Sequence, residues 1–171
     1  GHNGRDETTT MCLIPSIVKF VNIPVIAAGG IATGTTMLAA MSLGADGVQI
    51  GSRFAISKES SAHDIFKNYV LSARDGDTVL TLKELAPVRM LKNEFFQKIQ
   101  SIYNRSGSKE ELVELLGRGR IKKGIFEGDL VEGNLEIGQI SAIINSINSV
   151  AEIINEVVSD YKKAQENLFS F

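Results

Sequence analysis

Two short apolar runs, each ending on glycine, constrain this chain more than any other feature. Val25-Ile26-Ala27-Ala28 leads into Gly29-Gly30, and Gly47-Val48-Gln49-Ile50 leads into Gly51-Ser52. Both runs are too short for a helix and are close to continuously apolar, so both read as strands buried on two faces. Between them, residues 33–43 place Met37, Leu38, Ala40 and Met41 at helical spacing, with Gly44 as the stop. An earlier helix is predicted over Ile14–Val21 from Ile14, Ile17, Val18 and Val21; Thr8, Thr9 and Thr10 are its candidate caps and Pro24 its breaker. Helix, strand, helix, strand with short connections is the order of parallel βα units. An α/β fold is therefore expected, with the two strands as neighbours.

The rest of the chain is written differently. Residues 1–60 carry four basic and four acidic side chains against fourteen and sixteen in residues 61–171, so the early part is apolar and the later part amphipathic. Helices are predicted over His63–Ala73, Arg89–Tyr103, Lys109–Leu116 and Ile140–Tyr161, the last from Ile143, Ile144, Ile147, Val150, Ile154, Val157 and Val158. Val79–Leu82 reads as a weak strand, and Gly117–Gly133 as a glycine-punctuated connection with a helical turn near Ile121. The expected division is residues 1–75 for the βα units and 76–171 for a mostly helical region packed on them.

Composition removes several function classes. The net charge of −2 gives no overall basic balance for nucleic acid or an anionic membrane. No apolar run reaches the ~18 residues of a membrane span, and no basic-then-apolar leader opens the chain. It opens on Gly1-His2-Asn3-Gly4 without an initiator Met, so residues upstream are expected. The single cysteine, Cys12, cannot form an intrachain disulfide and fits a reducing, cytoplasmic setting. It has no visible activating partner and reads as a small core residue. No zinc-type spacing, Walker loop or dinucleotide GxGxxG is present, and no metal is expected.

The chemistry is expected where the glycines are. Gly29, Gly30 and Gly51 let backbone N–H groups approach a ligand with no Cβ in the way, and Ser52 adds a hydroxyl donor. The N-termini of the helices that follow would add free N–H groups and partial positive charge, which together suit a phosphate. The same glycines would also serve as nothing more than tight βα turns. His2, flanked by glycine, has the ordinary imidazole pKa that suits proton transfer at neutral pH, though a chance terminal histidine would look the same. His63 at a helix start reads as structural. Arg118, Arg120, Lys122 and Lys123 read as a solvated basic face.

Three segments, in order, resemble the nitronate monooxygenase (2-nitropropane dioxygenase) family. Gly1 to Thr10 looks like the segment after that family's sixth strand, Ile23 to Ala32 like its seventh strand and loop, and Gly44 to Phe54 like its eighth. The related flavin-dependent trans-2-enoyl-acyl-carrier-protein reductase shares all three, together with a stretch like Lys58 to His63 and a Gly138-Gln139. The resemblance implies the C-terminal portion of a (β/α)₈ TIM barrel, its last two βα units, followed by a helical C-terminal region. It implies flavin mononucleotide (FMN) as cofactor, held at Gly29, Gly30, Gln49, Ile50, Gly51 and Ser52, with His2 as the catalytic or substrate-orienting group. The implied reaction is oxidation of a small alkyl nitronate by oxygen. The alternatives are NAD(P)H-driven reduction of an enoyl thioester and a non-catalytic fragment, and a homodimer is left open.

Overall fold

The computed structural model describes residues 8–168. Helix α1 (Thr10–Val18) leads to strand β1 (Ile26–Ala28), α2 (Gly34–Ser42), β2 (Gly47–Gln49) and a single turn, α3 (Ser52–Ala55). β1 and β2 are parallel neighbours, with Ile26 opposite Gly47 and Ala28 opposite Gln49, so the predicted α/β order is observed. Helix α4 (Asp64–Leu71) follows, then an antiparallel pair, β3 (Thr78–Thr81) and β4 (Val88–Leu91). Two helices, α5 (Glu94–Asn104) and α6 (Lys109–Leu116), a π-helical turn at Lys122–Phe126 and a 3₁₀ turn at Gln139–Ile143 precede the long helix α7 (Val150–Leu168).

Local chemistry sets most helix starts. Thr33 and Thr36 form a reciprocal capping box at α2, as Ser108 and Glu111 do at α6. Asn93 caps α5 by accepting from the Phe96 amide at 3.0 Å. His63 caps α4, its Nδ1 accepting from the Ile65 amide at 3.1 Å, which is a structural use of that imidazole. At α1, Thr9 holds the N-cap position without a side-chain bond. Thr10 instead donates its hydroxyl to the Gly29 carbonyl at 2.9 Å, tying α1 to the first glycine turn.

The core lies in three apolar clusters. Ile14, Ala27, Ile31 and Ala40 join α1, β1 and α2. Ile56, Phe66, Val70, Leu91 and Leu135 join α4 to β4 and the segment after the π-turn. Met90, Phe95, Ile99 and Leu112 join the antiparallel pair to α5 and α6. Helix α7 then returns to α2. Gly34 permits this: a Cβ there would stand 2.0 Å from the Tyr161 amide nitrogen. Asp160 accepts from the Thr35 amide at 3.1 Å and from its hydroxyl at 3.3 Å. Arg53, only 7% exposed, donates to the Ala32 carbonyl at 3.0 Å and pairs with Glu156 at 2.6 Å. It thereby spans from the first glycine turn to α7.

The structure departs from the sequence expectations in five places. Residues 88–91 are a strand, with helix beginning only at Glu94; Val88 and Met90 are buried around a half-buried Arg89, an alternation of period two. Past residue 75, where one weak strand is expected at Val79–Leu82, β4 adds a second beside β3. The predicted helix over Ile140–Tyr161 starts at Val150, because Ser149 and Glu152 cap it reciprocally: the Glu152 amide donates to Ser149 Oγ at 3.2 Å and Glu152 Oε2 accepts from the Ser149 amide at 2.6 Å. Those bonds and Lys58 hold the Glu152 carboxyl down to about 2. Helix α1 runs Thr10–Val18 rather than Ile14–Val21, and Cys12 on it is exposed rather than in the core. Finally, β1 is buried on one face only. Ala27 is covered, but Ile26 is 57% exposed and Ala28 is exposed.

The open apolar face has a measurable consequence. Phe20, Ile23 and Ile26 stand exposed close together in sequence, with Met11, Leu13 and Ile17 on α1. The parallel pair of β1 and β2 has no further strand on either side among the described residues, and unpaired strand edges template association. Residues 1–171 expressed alone are expected to elute from size exclusion above the monomer mass at micromolar concentration. A sharp monomer peak would mean that this face tolerates water.

Candidate functional site

A cleft of about 520 Å³ opens beyond the carboxyl ends of β1 and β2. Gly29 and Gly30 adopt φ of +105° and +74°, which an L side chain resists, so the turn is built for glycine. An ideal Cβ on Gly30 or on Gly51 would meet no atom within 4 Å, so at both residues the backbone borders open space. Gly51 starts α3 without a side-chain cap. Ser52 is buried beside it, and its Oγ accepts from the Gly138 amide at 3.1 Å, leaving the hydroxyl hydrogen to donate. Gln49 is exposed at the end of β2 and lines the cleft. A second lobe of about 610 Å³ adjoins the first and shares Ala28, Gly30, Arg89 and Ile140 with it; Thr8, Thr9, Thr10 and Asp75 line this lobe.

Of the residues singled out in the sequence, Gly29, Gly30, Gln49, Gly51 and Ser52 come together on the first lobe. Ile50 does not line it; the side chain packs with Val48 against the cluster of Ile14 and Ala27. His2 lies outside the described residues. The expectation that the following helices offer free N–H groups is limited at α2, where three amides near its start are already used. At α2 the Thr33 amide donates to Thr36 Oγ1, the Thr36 amide to Thr33 Oγ1 and the Thr35 amide to Asp160. At α3 the helix has only four residues, so its dipole is slight and the local donors matter more. Two residues of the basic cluster are engaged structurally: Arg120 pairs with Glu132 and stacks on Phe95, and Lys122 pairs with Glu127.

Arg89 and Glu136 also line the cleft, and sequence reasoning missed both. Arg89 was hidden by the helix expected over it. Its alternation with Val88 and Met90 was the available signal. Glu136 pairs through its backbone with Met90 across a bridge, and Asn134 Nδ2 donates to its Oε1 at 2.8 Å. Burial pushes the Glu136 carboxyl above the usual carboxylate range, against the lowering effect of Asn134. Among the described residues, no His, Cys, Asp and Glu group could hold a metal ion, and no helix is long and apolar enough to cross a membrane.

Fold and cleft together define an α/β protein with a glycine-bordered cleft beyond the carboxyl ends of adjacent parallel strands, the usual place for a ligand in such folds. More specifically, the chain belongs to the nitronate monooxygenase family, whose model matches residues 1–160. It is 34% identical over 167 residues to a probable nitronate monooxygenase of Staphylococcus saprophyticus, covering 92% of this chain and 47% of that protein. Among solved structures it is similar to FabK from Thermotoga maritima, with a TM-score of 0.89 and 39% identity over 95% of this chain and 52% of that one. It also shares the fold of a nitroalkane oxidase from Streptomyces ansochromogenes, at a TM-score of 0.75 and 24% identity over 93% of this chain and 45% of that one. The chain thus spans about half the length of the relatives it matches. Those relatives are oxidoreductases.

Proposed function

We propose that this chain is part of an FMN-dependent oxidoreductase, that β1–α2 and β2–α3 are the last two units of its (β/α)₈ barrel, and that the cleft beyond them takes the flavin phosphate. The observation that carries this reading is the open backbone at both Gly30 and Gly51, side by side at the ends of paired strands. A Cβ is absent where a phosphate would approach, so the residues present fit the group. Gly29, Gly30 and Gly51 would supply backbone donors and Ser52 its hydroxyl, with Gln49 at the rim. Ile50 would support Gly51 from the core rather than touch the ligand. Bound there, FMN would supply the redox chemistry. The protein would hold it, orient the substrate beside it and exclude water.

The substrate class we propose is an enoyl thioester, reduced at the expense of NAD(P)H. FabK, an enoyl-acyl-carrier-protein reductase, matches at 39% identity over nearly the whole chain, including the region past residue 75. The second reading is oxidation of an alkyl nitronate by oxygen, supported by the family match and by the S. saprophyticus relative. In either reaction His2 would act as base or hydrogen-bond donor near the substrate carbonyl or nitro group. A small-molecule enzyme of the cytoplasm, with a homodimer left open, is the setting both readings imply.

The test uses the complete reading frame. The purified protein is expected to carry a flavin absorption spectrum and to oxidise NAD(P)H when given an enoyl thioester. Oxygen uptake with a nitronate, without thioester-dependent turnover, would transfer the assignment to the second reading. Absence of flavin binding would overturn both. His2→Ala in the same protein is expected to keep the flavin and lose turnover by roughly 10²–10⁴, the range for a general acid–base group. Unchanged turnover would return His2 to a chance histidine.

A further inference from the structure

Among the described residues, Arg89 is the cation that lines the cleft and that the fold does not use up. Its backbone is pinned on both sides, by Leu80 across the antiparallel pair and by the Ile137 amide, which donates to the Arg89 carbonyl at 3.3 Å. The guanidinium is steered by one nitrogen: Nη1 donates to the Thr78 carbonyl at 3.3 Å and to Thr78 Oγ1 at 3.1 Å. Nε is shielded from solvent and has no hydrogen-bond partner. Arg89 forms no ion pair with any described residue. Of the two carboxyls that line the cleft, Asp75 shares the second lobe with Arg89 without an ion pair between them, and Glu136 is engaged by Asn134 with burial favouring its neutral form. A guanidinium cannot shed its proton, so a half-buried one with an orphaned N–H and no counter-charge among the described residues is costly unless a ligand supplies the anion. Its planar fork suits a phosphate better than a point charge would.

We propose that Arg89 is the cationic anchor for a phosphate-bearing ligand in this cleft. It sits where the two lobes meet, so it faces both the glycine-bordered lobe and the threonine-lined one. The anion is a phosphate ester, from FMN itself or from a co-substrate (the nicotinamide dinucleotide or a coenzyme A thioester). The inference rests on the flavin reading for the first source only.

The experiment compares the complete protein with Arg89→Gln and Arg89→Lys, each checked for an unchanged circular dichroism spectrum. FMN and riboflavin are titrated by flavin fluorescence. If the flavin phosphate is the partner, Arg89→Gln weakens FMN by roughly 10–100-fold, the worth of a charge-assisted bond, while riboflavin is unaffected and Arg89→Lys recovers part of the loss. If the partner is the co-substrate phosphate, both flavins bind as before. KM then rises for NADH or enoyl coenzyme A but not for a phosphate-free thioester, with kcat little changed. Should the wild type bind neither flavin, the flavin reading fails, and inorganic pyrophosphate decides for Arg89: it should raise the melting temperature of wild type more than that of Arg89→Gln at matched ionic strength. Equal response of wild type and Arg89→Gln to every phosphate-bearing probe overturns the proposal.

Discussion

Gly51→Glu in the complete protein is expected to abolish flavin retention while leaving the fold intact. Gly51 has φ of −99°, which any L residue adopts, and an ideal Cβ there meets no atom within 4 Å. The substitution therefore introduces neither backbone strain nor a clash within the chain. It does place a carboxylate in the space where the phosphate is proposed to sit. Like unit charges about 4 Å apart cost about 4 kcal/mol near a protein surface, about a thousandfold in affinity, before the lost volume is counted. The readout is flavin absorbance per protein, beside a thermal unfolding curve. A folded variant with stoichiometric flavin would show that the cleft beside Gly51 is not the phosphate site.

Gly34→Ala tests the other half of the architecture, and its sign is diagnostic. In an ordinary helix the exchange of glycine for alanine is stabilising by up to about 1 kcal/mol. At Gly34 the new Cβ would lie 2.0 Å from the Tyr161 amide nitrogen and 2.4 Å from the Val157 carbonyl oxygen. Both are backbone atoms of a helix and cannot rotate aside. Helix α7 must back away from α2, stretching the Thr35–Asp160 bonds and the Arg53–Glu156 pair. Arg53 is buried, and without Glu156 it keeps only the Ala32 carbonyl. Overpacking alone costs about 1–3 kcal/mol, and weakening the pair that the buried Arg53 makes with the half-exposed Glu156 adds to it. A loss of about 3 kcal/mol is expected, which lowers the thermal midpoint by about 6–12 °C in a chain of this size. An unchanged or higher midpoint would mean that α7 does not seat on Gly34.

The legible parts of the fold were those in which local chemistry and burial point the same way. The parallel pair, α2 and the glycine turns could be read because short apolar runs and glycine stops are encoded within a few residues. The sequence also brought Gly29, Gly30, Gln49, Gly51 and Ser52 to one cleft. What escaped depends on partners far along the chain. Arg89 has one local strand signal, its alternation with Val88 and Met90, but nothing nearby announces that β3 and the 136–137 segment will flank it. Nothing near Thr35 announces that Asp160 will take its amide. The start of α7 was legible in principle: Ser149 followed three residues later by Glu152 is a capping-box pattern, overridden by the apolar periodicity running through Ile143, Ile144 and Ile147.

The bond from Thr35 to Asp160 closes a loop of 125 residues. A chain grows from its N-terminus at about 5–20 residues per second, so these two partners are made on the order of ten seconds apart. During that interval Gly34 and Arg53 have no α7 to receive them. Contacts so distant in sequence also form late once the chain is free, because the entropy of closing the loop opposes them until the rest has condensed. The unit of β1 and α2 thus waits for a helix that is made long after it. Premature termination anywhere before Glu156 would leave Arg53 without its carboxylate and the side of α2 without its cover. Shortened products of this chain are therefore expected to be targets for chaperones and proteases rather than smaller working domains.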